Sequence, residues 1–192
     1  MIFKFFEYNF LQYNSVLVVQ ILSDNRKTIF KFKNNNMTTN ENLVEVLNDL
    51  VEINNDRIEG YQKAAEETKD VDVDLKAIFM KLAEDSIKYK TELVNEISKF
   101  GGSPATGTTG LGKIYRVWMD VKATFAGNDR QSVLEACVFG EEAAQKAYRD
   151  ALSSDVEINA DTRQLITTQQ ASLHTALELV AKYRDLHKAV NA

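Results

Sequence analysis

The chain has 192 residues, 44% of them hydrophobic and 27% charged, with a formal net charge of −5. That length suits one domain with an appendage, and the acidic balance without a basic cluster in the helical part argues against a nucleic-acid surface. The single cysteine, Cys137, excludes an internal disulfide and fits a reducing, cytoplasmic compartment, and no apolar run is long enough for a membrane span.

Residues 1–36 differ in composition from everything after them. They contain no Ala or Gly, yet hold Phe3, Phe5, Phe6, Phe10, Phe30 and Phe32, six of the ten phenylalanines. Five basic and two acidic side chains give them a charge of +3, which leaves −8 on the remainder. The preferred reading is an N-terminal extension outside the fold, with Met37 as the initiator. A secretion signal is an alternative, because Lys4 precedes the apolar segment Ser15–Leu22, but polar residues interrupt it and no small-residue cleavage site follows. An arm that pairs with a partner is the third. The expected fold therefore occupies residues 37–192.

From Met37 the pattern is helical. Thr38 with Glu41 forms a capping-box signature, and Leu43, Leu47, Leu50, Val51, Ile58, Tyr61 and Ala65 recur at helical spacing, which predicts a first helix to about Lys69. The turn-rich stretch Asp70–Asp74 separates it from a second helix carrying Leu75, Ile78, Phe79, Leu82, Tyr89, Leu93, Ile97 and Phe100. Five of the eight glycines then fall between Gly101 and Gly112, followed by a short amphipathic segment with Leu111, Ile114, Tyr115, Trp118, Val121 and Phe125. A third helix is predicted over about 129–153, and after Ser153–Asn159 a fourth with Leu165, Ile166, Leu173, Leu177, Val180 and Tyr183. Two connections are short and the middle one is roughly 28 residues. Helices of this size are about 40 Å long, so a linker with its own short helix can carry the chain back along the bundle. The second and third helices would then run parallel. The fold class expected is all-α, a ferritin-like four-helix bundle whose long crossover between helices 2 and 3 carries a short extra helix.

The feature that bears on function is Glu141. It lies in an apolar stripe of Leu134, Val138, Gln145, Tyr148 and Leu152, where a carboxylate is buried and needs a partner, a proton or a metal. On the helical wheel Asn54, Tyr61, Tyr89 and Gln169 fall on the stripes of the other helices, with Asp85 at a margin, and Tyr148 completes the polar layer from Glu141's own stripe. Two readings follow. One is a hydrogen-bonded polar layer that fixes helix register. The other is a metal site built on Glu141 and Asp85, with Glu59, Glu92 or His174 joining from the flanks and iron or manganese as the ion. Bundles that hold two irons draw on Glu-x-x-His pairs, but Ala171 and Arg184 stand three residues before His174 and His187. Two carboxylates leave at least half the charge of two divalent ions uncompensated, so a di-iron centre is not expected.

Several pieces together resemble a known family: Asn54-Asn55-Asp56, Ile58-Glu59-Gly60-Tyr61, Phe100-Gly101-Gly102, Tyr115 to Asp120, Gly140-Glu141 with Tyr148, and Gln169. They are similar to the bacterial family known as domain of unknown function 2383, over about Glu41 to Asp185. Its members are described as ferritin-like four-helix-bundle proteins, so the resemblance implies that fold and no established reaction. It also implies a start near Met37.

Other signals carry less. Gly107 to Lys113 approaches a phosphate-binding loop, but Ile114 stands where a hydroxyl must hold magnesium and no strand precedes it. Cys137 reads as a small buried hydrophobe, and the Trp118 helix as packing over its own bundle. The expectation is a non-catalytic, self-associating helical bundle with a stress-related role by analogy of fold. The alternative is a metal-binding ferritin-like protein or oxidoreductase with a carboxylate-poor core site.

Overall fold

The computed structural model describes residues 39–107 and 130–190. They form four helices: α1 (Thr39–Glu67), α2 (Val73–Lys99), α3 (Arg130–Leu152) and α4 (Ala160–Val190). Among the described residues there is no strand, and no helix is long and apolar enough to cross a membrane. Residues 1–36, the capping residue Thr38 and the short helix expected around Trp118 lie outside the described residues.

Each helix buries one seam built from steps of four and three residues, the spacing that keeps a stripe facing its neighbours. In α1 the seam is Leu43, Leu47, Leu50, Asn54, Arg57, Tyr61 and Ala64. In α2 it runs Leu75, Phe79, Leu82, Ser86, Leu93 and Ile97, with Tyr89 half-buried. In α3 it is Leu134, Cys137, Glu141, Ala144, Tyr148 and Ala151, and in α4 Thr162, Ile166, Gln169, Leu173, Ala176 and Val180. The apolar members form two clusters. One gathers Tyr61, Phe79, Leu134, Cys137 and Val180; the other gathers Leu47, Leu50, Leu93, Tyr148, Ile166 and Leu173. In the first three helices the polar seam residues Asn54, Arg57, Ser86 and Glu141 stand between them.

Cross-helix contacts set the directions. Arg57 meets Ser86 while Tyr61 meets Phe79, so α1 and α2 are antiparallel. Asn54 meets Tyr148 while Arg57 meets Glu141, so α1 and α3 are antiparallel. Tyr148 meets Gln169 at one end and Glu135 meets Lys188 at the other, which makes α3 and α4 antiparallel. It follows that α2 and α3 run parallel, as the connection lengths predicted, and the Arg130–Asp72 ion pair ties their N-terminal ends.

Local chemistry ends these helices. At the close of α2 the amides of Gly101 and Gly102 donate to the carbonyls of Ser98 and Ile97, each at 3.1 Å, while Gly101 adopts φ 73°. This is the paired bonding of a left-handed C-terminal cap, which favours glycine. Gly102 has a different constraint: a Cβ there would sit 2.6 Å from both Val44 methyls and 3.0 Å from Ile97 Cγ2. The chain then turns along α1. Asn48 donates to the Ser103 carbonyl at 3.1 Å and accepts from the Ala105 amide at 2.7 Å, and Asn55 donates to the Gly107 carbonyl at 2.6 Å. The crossover thus starts back along α1, in the direction opposite to α2. At α4, Asn159 caps the helix by accepting from the Thr162 amide at 2.9 Å.

A prediction arises at Gly102. The β-branched Val44 is stiff at χ1 in a helix, so Gly102→Ala should destabilise the bundle by about 1–3 kcal/mol through overpacking. Val44→Ala in the same chain should recover part of that loss. Thermal unfolding of the two variants checks this, and an unchanged midpoint in Gly102→Ala would contradict the close approach.

Candidate functional site

Glu141 is buried, as its stripe required, and its partner is Arg57, also buried. Both charges come from seam positions, one on α3 and one on α1. Arg57 Nη2 and Nε both donate to Glu141 Oε1, at 2.6 and 3.2 Å. Tyr61, one turn further along α1, donates its hydroxyl to the same oxygen. On the α2 side Arg57 Nη1 donates to Ser86 Oγ at 2.8 Å, and that hydroxyl donates to the Leu82 carbonyl at 2.7 Å. The Arg57 guanidinium also stands 5.6 Å from the centre of the Tyr61 ring.

The electrostatics follow from burial and the pair. Burial opposes the Arg57 charge, but the facing Glu141 carboxylate outweighs it and raises the guanidinium pKa above its ordinary value. Burial, and then the Glu141 charge, push the Tyr61 hydroxyl and the Cys137 thiol well up. Tyr61 is therefore held as a donor, and Cys137 as an unreactive thiol.

A second, largely neutral chain crosses the bundle beside this cluster. Asn54 Nδ2 donates to the Leu50 carbonyl and to Tyr148 Oη, both at 2.8 Å. Tyr148 Oη donates to Gln169 Oε1 at 2.8 Å. Gln169 Nε2 donates to Glu92 Oε2 at 2.9 Å and to the Tyr89 carbonyl at 3.2 Å. The chain therefore joins α1, α3, α4 and α2 in turn. Burial raises the Tyr148 pKa, partly offset by the Asn54 hydrogen bond and the Arg57 charge. Higher up, Glu96 accepts from Thr162 Oγ1 and Lys99 Nζ, each at 2.6 Å; burial opposes its charge, but Lys99 and Thr162 together lower its pKa.

Of the polar layer read from the sequence, Asn54, Tyr61, Tyr148 and Gln169 are buried and hydrogen-bonded. Tyr89 is half-buried and takes part through its carbonyl. The proposed metal ligands do not converge. Asp85 lies toward the surface and pairs with Lys81, because the α2 seam passes through Ser86 and the next position is 100° away. Glu59 is exposed, and His174 is exposed with its Nε2 3.5 Å from Glu178. Glu92 is partly exposed and is engaged by Gln169, with Lys88 3.9 Å away. Among the described residues no group of three or more His, Cys, Asp or Glu could hold a metal ion.

Sequence reasoning missed Arg57 and Ser86. The stripe was drawn through Ile58, which is half-buried. A strict alternation of four and three from Leu43 leads through Asn54 to Arg57 and Tyr61, and would have placed the guanidinium inside.

Fold and site together define a four-helix bundle whose central layer is a buried arginine–glutamate pair flanked by a hydrogen-bonded chain. The protein belongs to the family described as Domain of unknown function (DUF2383), which it matches over residues 42–154. The match takes in all but the start of α1, all of α2 and α3, and stops before α4. No curated protein matches the chain.

Proposed function

We propose that this is a ferritin-like bundle protein without catalytic chemistry, in which the site that could bind metal is filled by the protein's own cation. The observation that carries this reading is the Arg57–Glu141 pair, 2.6 Å at its closest and buried on both sides. A guanidinium beside the buried Glu141 supplies the positive charge that a metal would otherwise bring, and it repels any added cation. The ferritin-like assignment draws on the parallel run of α2 and α3 and on a crossover that starts back along α1. Exposed apolar side chains on α2 (Met80, Ile87) and α4 (Leu179, Leu186) support self-association, and the single buried thiol supports a cytoplasmic setting. A stress-related role is an extension by analogy of fold.

One observation favours the metal-binding or oxidoreductase reading: Glu141 Oε2 has no hydrogen-bond partner among the described residues. It offers one oxygen next to a fixed positive charge, which does not fit iron or manganese. Metal analysis of untagged protein, before and after exposure to Fe(II) or Mn(II), decides between them. The expected result is below about one-tenth of an ion per chain and no thermal stabilisation by added metal. Stoichiometric uptake abolished by Glu141→Gln would establish the second reading.

A further inference from the structure

From the donor and acceptor balance of the central layer we infer that an internal water molecule is bound at Glu141 Oε2, between α1 and α3. All three donors that reach Glu141 land on Oε1, and Oε2 receives none among the described residues. Asn54 Oδ1 is a second buried acceptor in the same condition. Asn54 and Arg57 stand one turn apart on α1, and both side chains reach across to α3. Arg57 has donors to spare: a guanidinium carries five N–H groups, and its described bonds use one each from Nε, Nη1 and Nη2.

The layer thus presents two unused acceptors and unused N–H groups in a water-excluded core. An acceptor left dry in the core keeps its full desolvation penalty. The guest that answers both needs must donate and accept. A cation is opposed by Arg57, an anion by Glu141, and an apolar group would leave the oxygens unmet. Water donates to Glu141 Oε2 and accepts from an unused Arg57 N–H group, which gives that oxygen the donor the protein does not supply. This hydrates the ion pair on the side its protein donors do not cover. The inference rests on reading the layer as structural.

The test is an atomic-resolution crystal structure of the full chain, joined to oxygen-17 magnetic relaxation dispersion, which counts long-lived internal waters. The expected result is an ordered water about 2.7–3.2 Å from Glu141 Oε2. In Arg57→Met/Glu141→Leu the count of long-lived waters should fall by one. An Oε2 that contacts only protein groups, or a count that does not change, overturns the inference and leaves the function proposal standing. A metal ion at that position overturns both. Should the double variant fail to fold, the wild-type density alone decides.

Discussion

Glu141→Leu should cost the folded state about 3–5 kcal/mol, the largest loss expected from any single polar substitution in this protein. The leucine removes the carboxylate paired with Arg57 and strands a guanidinium in the core, with Tyr61 deprived of the Glu141 acceptor as well. For a domain of this size the loss lowers the unfolding midpoint by about 10 °C. The paired variant Arg57→Met/Glu141→Leu should return most of that stability, or exceed the wild type by about 1–4 kcal/mol, because it removes both desolvated charges at once. Urea unfolding of the two variants against wild type gives the comparison. If the double variant is as unstable as the single one, the pair is not an isolated electrostatic unit, and the account of the layer given above is wrong.

The second large effect is expected at Tyr148. Its hydroxyl accepts from Asn54 and donates to Gln169, and so joins α1 to α4 through α3. Tyr148→Phe keeps the ring and deletes only that oxygen. Gln169 Oε1 then loses its donor in a buried setting and Asn54 keeps only the Leu50 carbonyl, for a cost of about 1–3 kcal/mol. Asn54→Leu in the same chain should cost less than it does in wild type, because its acceptor has already gone. A double-mutant cycle in urea measures that coupling, and strict additivity of the two changes would remove the continuous chain from the picture.

Much of the architecture was legible in the sequence. The second short connection falls at Ser153–Asn159 as expected, the first at 68–72 rather than Asp70–Asp74, and α3 follows the expected span within a residue at each end. Gly101 reads as a helix stop and is one, through its left-handed backbone. Glu141 was placed inside the bundle from its stripe alone, and it is inside. Asp85 and Ser86 are adjacent in sequence, yet one helical step sends the carboxylate toward Lys81 and the hydroxyl toward Arg57. Hydropathy gives an arginine to the surface by default, so Arg57 passed unnoticed between Asn54 and Tyr61.

The sequence by itself determined the number of long helices, the apolar part of their seams, the parallel run of α2 and α3 and the family. These are set by local periodicity, capping and connection length, which any short stretch of chain carries. Only the tertiary structure decided what neutralises Glu141. Its partner lies 84 residues away in the chain, and no local pattern links the two. Packing α1 antiparallel to α3 brings the guanidinium against the carboxylate and so places a fixed positive charge beside it.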